Sequence, residues 1–264
     1  MSDENIASIA PLEHARGIAQ AVQDYAALSW RSIANLVRRP LYVADMIQQA
    51  DLVGVGSIPI VLAAVFFTGA ALALNSATTL SRFGALGLIG QLVAIGIVRE
   101  LGPVLAGLVV SGRNAAGMAS ELGSMAVTEQ LDAMRALGTD PHKKLVTPRV
   151  IANIVMLFFL TILGDLMGLV GGNAISSGLL HLDFRQYWTN VQQALTFDDV
   201  FIGLVKPLVF GFIIATIGCY FGMSTRSGTQ GVGRSTTQAV VVSMVLVIAV
   251  DVVVTRLLMV VLET

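Results

Sequence analysis

Residues 52–81 read LVGVGSIPIVLAAVFFTGAALALNSATTLS and contain no charged side chain. A helix rises about 1.5 Å per residue and the hydrocarbon core of a membrane is about 30 Å thick, so about 20 such residues cross it. The rest of the chain has the same character, because 55% of its 264 residues are hydrophobic and 12% are charged. Soluble domains carry about 25% charged residues. The composition therefore predicts a membrane protein with several spans and excludes a water-soluble enzyme.

Four further apolar segments follow the first one, each interrupted by two charges at most. They cover residues 83–112, 150–175, 200–222 and 236–262. The predicted fold class is an all-α membrane protein with five transmembrane helices. As a straight helix, the second segment would be about 45 Å long, longer than the hydrocarbon core is thick. We expect it to tilt, bend or re-enter, with a break at Gly102-Pro103.

Lysine and arginine are distributed unequally between the two sides of such a bundle. The N-terminal segment and the loops after spans two and four hold eleven of these residues outside the spans, and the opposite loops hold Arg82 and Arg185 alone. Positive residues favour the cytoplasmic side. The N-terminus is predicted to be cytoplasmic and the C-terminus to lie outside. With 16 Lys+Arg against 17 Asp+Glu, the charge balance argues against nucleic acid as a partner.

The segment before the first span is polar and acidic at its start, which is not typical of a cleaved signal peptide. Apolar residues then recur at helical spacing and predict an amphipathic helix in the cytoplasmic interface, or alternatively a short soluble helix packed on the loops. The recurring positions are Ile18, Val22, Tyr25, Ser29, Ile33 and Leu36/Val37. We divide the chain into an N-terminal interfacial region, 1–50, and a transmembrane domain, 51–264.

The loop between spans two and three, Arg113 to Arg149, is predicted to form short amphipathic helices parallel to the membrane. A ridge of apolar side chains recurs at helical spacing beside three acids. The ridge consists of Met118, Leu122, Met125, Leu131, Met134 and Leu137, and the acids are Glu121, Glu129 and Asp132. Such a ridge suits docking into another protein. Alternatively, it packs beneath the bundle, and periodicity does not decide between the two.

Five charged residues fall within the predicted spans, where each costs about 2.5 to 3.5 kcal/mol unless it has a partner, water or a function. They are Arg99, Glu100, Asp165, Lys206 and Asp251. Counting residues along the spans places the last three at similar depths, where they could share one polar layer. Adjacent residues on a helix lie about 100° apart, so Arg99 and Glu100 should face different partners. These charges either contact an amphiphile or join helices.

Four motifs together resemble the MlaE/YrbE family. They are Arg99 to Val104 (RELGPV), Ala119 to Met125 (ASELGSM), Thr128 to Met134 (TEQLDAM) and Gly138 to Pro141 (GTDP). These proteins are permease subunits of MCE-type ABC transporters that move phospholipids or related lipids between bacterial inner and outer membranes. The resemblance implies an inner-membrane homodimer, a cytoplasmic ABC ATPase on each copy, and a periplasmic MCE-domain protein above.

The resemblance also implies roles for particular residues. It favours Glu100, Lys206 and Asp251 as lipid-cavity or gating residues, with Arg99 and Asp165 as further candidates. The loop helices become ATPase-coupling helices, and the coupling residues are Glu121, Leu122, Met125, Thr128, Glu129, Leu131, Asp132 and Met134. ATP and Mg²⁺ would bind to the partner, so we expect no catalytic residue, cofactor or metal in this chain.

One motif in the sequence resembles a nucleotide-binding site. Gly228 to Ser235 has the spacing of a phosphate-binding loop, but Arg234 stands where lysine is needed, and no α/β domain surrounds it. We therefore interpret the match as chance.

Two other functions are compatible with five charged spans. An ion-coupled secondary transporter would use Asp165, Glu100 and Asp251 as proton carriers, but would be expected to show two related halves, which this sequence lacks. A membrane scaffold would anchor its partners without moving lipid.

Small-residue repeats, including Gly164, Gly168 and Gly172, indicate close helix packing within or between subunits.

Overall fold

The computed structural model describes residues 3–35 and 42–262, and the side chains of residues 19–35 and 42–262. Within these ranges the secondary structure is helical, without strands. The α-helices are α1 (Asp3–Asn35), α2 (Val43–Gly54), α3 (Ile58–Arg82), α4 (Ile89–Ile95), α5 (Gly102–Val110), α6 (Ala116–Val127), α7 (Gln130–Ala136), α8 (Thr147–Gly178), α9 (Phe184–Ala194), α10 (Phe197–Met223) and α11 (Gly228–Leu262). A 3₁₀ turn covers Leu86–Leu88, and π-helical segments cover Gly96–Leu101, Ser111–Ala115 and His142–Val146.

Five helical stretches of the described residues are long and apolar enough to cross a membrane, which confirms the predicted fold class. They are Val43–Arg82, Leu86–Val127, His142–Gly178, Phe197–Met223 and Gly228–Leu262. Each coincides with one predicted span over most of that span's length. The fifth begins at Gly228, so the phosphate-loop-like motif lies in the first turns of a helix.

The helix of the second span continues through Gly102-Pro103, so the predicted break at these residues is wrong. Proline occupies the first turn of α5, where its missing N–H is tolerated. The preceding turn widens into the π-helical segment Gly96–Leu101, and the Gly102 N–H donates to the Ile97 carbonyl five residues back. A change of helical register thus replaces the expected kink.

The coupling segment also differs from the prediction of two separate helices parallel to the membrane. Helix α6 continues from the second span through the π-helical segment Ser111–Ala115, so it extends the span. Helix α7 follows after a turn in which Glu129 has a positive φ of 60°. This single left-handed residue redirects the chain. The apolar spacing indicated the helices correctly, but periodicity does not show whether one helix continues another.

Helix α1 packs on α10 by one face. The Tyr25 hydroxyl lies 3.0 Å from Thr216 Oγ1, and Leu28 is buried beside them. Val22 and Trp30, by contrast, are exposed, Trp30 to 72%. The helix therefore packs on the rest of the chain by one face, and its outer face is apolar and suited to the membrane interface. The predicted positions Leu36 and Val37, and the side chain of Ile18, lie outside the described residues.

Glycines bring α3 and α8 into close contact. A Cβ atom at Gly69 would overlap the backbone of Gly168, and one at Gly171 would overlap the Phe66 carbonyl. Gly164 and Gly172 likewise face side chains of this chain, including Val65 and Val93 respectively. The small-residue repeat of α8 thus serves packing within the subunit.

Helix α11 is buried along one narrow stripe only. Its buried residues are Ser235, Ala239, Ser243 and Val247, which recur every fourth residue. The other sides of the helix are apolar and largely exposed in the isolated chain. Lipid or another protein must cover them.

The contact between α3 and α8 gives a test of the packing. Gly171→Ala should lower the free energy of unfolding by about 1 to 3 kcal/mol, because its methyl group would overlap the Phe66 carbonyl. Gly178→Ala, on the same helix with open space around its Cβ position, is the matched control. Thermal unfolding of the purified chain in detergent measures both. Equal midpoints for the two variants would contradict the packing.

Candidate functional site

The site is centred on Lys206 of α10, whose side chain is completely buried. Its Nζ atom lies 2.5 Å from Glu100 Oε2 and 3.0 Å from Asp251 Oδ1. Nζ also donates to the backbone carbonyl of Arg99 at 2.8 Å. One ammonium group therefore links α10 to the second span and to α11.

The carbonyl that Lys206 contacts is available for a physical reason. In a regular helix the Arg99 carbonyl would accept from the N–H of residue 103, and that residue is proline. The close approach of α10 is possible because it carries Gly203 against the Val98 carbonyl, where a Cβ would overlap. Pro103 thus frees an acceptor, Gly203 brings the helix near, and Lys206 fills the vacancy.

Arg99 and Glu100 face different partners, in keeping with their separation on the helix. Arg99 NH1 lies 3.3 Å from Asp199 Oδ1, whose other oxygen accepts from the Thr196 hydroxyl at 2.7 Å. Thr196 and Asp199 form a reciprocal cap at the start of α10. Sequence analysis missed Asp199 as a site residue. Its signal was the Thr-x-x-Asp spacing of a helix start.

The structure does not bring Asp165 into this cluster. Its carboxylate lies against Gly102, so close that a Cβ there would overlap it. It is therefore level with Glu100 along the second span but on another side of it. Asp165 is 7% exposed and its Oδ1 has no hydrogen-bond partner. The residue count predicted its depth but not the direction in which its helix faces.

Glu100 and Asp251 open onto a cavity of about 240 Å³. Its other lining residues are Val252, Thr255, Arg256 and Met259. Val252 and Arg256 also line a neighbouring open groove of about 540 Å³ on the surface of α11, whose lining residues all belong to that helix and are apolar except Arg256. A charged cavity thus adjoins an apolar groove, and the two surfaces together match a molecule with a polar end and a hydrocarbon end.

The coupling residues divide into a buried set and an exposed set. Leu122 is fully buried and packs with Met118 and residues of α8 and α10, and Leu131 is also buried. Met125 and Met134 are half-buried. Most side chains of the apolar ridge are therefore covered by packing within the chain. The exposed members are Glu121, Thr128, Glu129 and Asp132, and the neighbouring ridge residue Leu137 is 83% exposed.

Glu121 is exposed but already has a partner. Its Oε1 lies 2.7 Å from NH2 of Arg149, a side chain that is 4% exposed, so α6 is joined to the start of α8. Glu121 is thus less available than Glu129 for contact with another protein.

The cluster predicts an unequal response to neutralising its members. Lys206→Met should destabilise the protein by about 3 kcal/mol or more, because two carboxylates and one carbonyl lose their cation. Adding Glu100→Gln and Asp251→Asn should recover much of this loss by removing the uncompensated charges. Chemical unfolding in detergent measures the unchanged protein, Lys206→Met and the triple variant. A triple variant no more stable than Lys206→Met would contradict an electrostatic role.

Comparisons with known proteins agree with the motifs. The family described as Permease MlaE matches residues 46–257. A probable ABC transporter permease protein of Rickettsia typhi is 44% identical over 96% of this chain and 98% of its own length. Protein TRIGALACTOSYLDIACYLGLYCEROL 1, chloroplastic, of Arabidopsis thaliana is 35% identical over 81% of this chain and 61% of its own length. The intermembrane phospholipid transport system permease protein MlaE of Haemophilus influenzae is 29% identical over 81% and 82%. The chain is a multi-pass membrane protein and belongs to the MlaE permease family.

Proposed function

We propose that the chain is the permease subunit of an ABC transporter that moves phospholipids between the inner and outer membranes of a bacterium. The observation that carries the proposal is the buried Lys206 cluster beside a charged cavity that continues into an apolar groove. A phospholipid needs both surfaces, a polar one for its headgroup and an apolar one for its chains. The name of the Haemophilus influenzae relative supports this substrate class.

In this proposal the cluster would act as a gate. Glu100, Lys206 and Asp251 join three spans through one ammonium group, and Glu100 and Asp251 also line the cavity. A headgroup in the cavity that contacts Glu100 or Asp251 would compete with these ion pairs. Separation of α11 from α10 would then widen the cavity toward the groove. Arg99 and Asp199 would hold the second span on α10 while this happens.

The energy would come from a separate ABC ATPase that binds ATP and Mg²⁺, with no hydrolysis in this chain. The name of the Rickettsia typhi relative, an ABC transporter permease, supports such a partner. The exposed surface of Thr128, Glu129 and Asp132 would receive it. This surface is continuous with the second span through α6, and Glu121 joins it to Arg149 at the start of α8. Movement there would reach both spans.

The assembly would be an inner-membrane homodimer with a periplasmic MCE-domain protein above it. The exposed apolar sides of α11 support a second copy as their cover, which would enclose the groove between two subunits. The lysine and arginine distribution supports a cytoplasmic N-terminus and a periplasmic C-terminus.

Transport in liposomes containing the chain, its ATPase and its periplasmic partner tests the cavity. Asp251→Asn should slow ATP-dependent phospholipid transfer about tenfold, a change of about 1.4 kcal/mol in activation free energy. Asp198→Asn, an exposed carboxylate in the first turn of α10, is the control. Transfer without the ATPase would instead favour a secondary transporter. Unchanged transfer in Asp251→Asn would remove this carboxylate from the mechanism.

Co-purification tests the docking surface. Glu129→Lys should reduce ATPase recovery with the permease about tenfold, a loss of about 1.4 kcal/mol, because it reverses an exposed charge without disturbing packing. Leu131 is unsuitable because it is buried. Asp24→Lys, an exposed acid on α1, is the matched control. Full recovery with Glu129→Lys would contradict docking at this surface.

A further inference from the structure

A second cavity lies between α2 and α6, outside the cluster described above. Its volume is about 190 Å³. It is lined by Gln49, Leu52, Val53, Arg113, Asn114, Gly117, Met118 and Glu121. Arg113 follows Glu100 by thirteen residues on the same helical stretch, so the two side chains begin about 20 Å apart along the helix. The cavity thus lies near residue 112, the predicted end of the second span.

The charge of the cavity is positive. Arg113 donates from NH1 to Ser57 Oγ at 3.0 Å, and a guanidinium group has further N–H donors to offer. The one acid of the lining, Glu121, is paired with the buried Arg149 at 2.7 Å. The pair neutralises itself and leaves Arg113 as the uncompensated charge of the wall. Gln49 and Asn114 add amide groups, which also donate hydrogen bonds.

The mouth of the cavity is continuous with an apolar surface. The exposed half of α2 carries Val43, Ile47 and Leu52, with Val55 directly after the helix, all more than half exposed, and it also carries the exposed polar side chains Gln48 and Asp51. Leu52, 53% exposed, belongs to this surface and also lines the cavity. A largely apolar exposed side with a few polar groups, on a helix at the start of a membrane-crossing stretch, is typical of the membrane interface. A lipid molecule beside α2 therefore has direct access to Arg113.

We propose that this cavity binds the phosphate group of a lipid headgroup from the cytoplasmic leaflet, with the acyl chains along α2. Guanidinium groups suit phosphate because their N–H donors match its oxygens. The cavity volume of about 190 Å³ is large enough for a phosphate ester. The proposal uses the orientation given under the proposed function but does not depend on transport.

Site-resolved photolabelling tests this proposal on the purified full chain in nanodiscs. The probe is phosphatidylglycerol with a diazirine close to its headgroup, and the labelled peptides are identified by mass spectrometry. Labels are expected within residues 46–55 or 113–121. Arg113→Gln should reduce this labelling about tenfold, whereas Arg234→Gln, an exposed arginine on α11, should leave it unchanged. Equal labelling in the two variants would overturn the proposal.

A second variant separates loss of binding from loss of folding. Gln49→Trp fills the cavity while keeping the bond between Arg113 and Ser57, and it should reduce labelling with an unchanged thermal midpoint. Full labelling of that variant would overturn the proposal. A diacylglycerol probe without phosphate that labels these residues as strongly as phosphatidylglycerol does would also overturn the proposal. So would inorganic phosphate that abolishes the labelling, because the site would then bind a soluble anion. Labels at residues 251–259 report on the transport cavity separately, so failure of one site is distinguishable from failure of the other.

Discussion

A buried ammonium group is the constraint on which the arrangement of spans depends. Lys206 has no exposed surface, so the bundle must supply its partners. It does so with two carboxylates and one carbonyl from two other spans. The carbonyl is free because Pro103 lacks an N–H, so a local defect in one helix and a costly charge in another stabilise each other. Removing the ammonium group leaves the carbonyl without a partner, and removing the free carbonyl leaves Lys206 with its two carboxylates alone.

Close helix packing makes this exchange possible. The ammonium group reaches the second span because Gly203 permits contact with the Val98 carbonyl, and α8 approaches α3 through Gly168 and Gly171. These contacts bury the small-residue faces within the subunit. Helix α11, in contrast, contributes Asp251 to the cluster but buries only one stripe of its own. It is the span with the least packing to resist displacement, and it borders both the charged cavity and the apolar groove.

The second span carries charged and polar side chains at two levels. Its two π-helical segments hold Arg99 with Glu100, and Arg113 with Asn114, and each pair lies beside a cavity or an ion pair. A π-helical turn adds a residue and rotates the side chains that follow, which explains why such turns are frequent at functional sites. One helix can in this way present charged groups to α10 and α11 near its middle and to α2 near its end. Helix α6 then extends the same stretch to the exposed residues Thr128 and Glu129.

The sequence alone determined the number and approximate positions of the spans, because a charge in hydrocarbon is costly, so each span appears as a stretch of sequence with few charges. It did not show that the second span continues into α6. It also determined the charged candidates and the helical spacing of the coupling segment. The tertiary structure decided their partners. Asp165 and Asp251 both lie within spans, yet only Asp251 meets Lys206, and Asp199 joins the site from a helix cap. The direction of a side chain depends on the rotation and register of its helix. Those are set by contacts between glycines and carbonyls on different spans, which no local pattern contains.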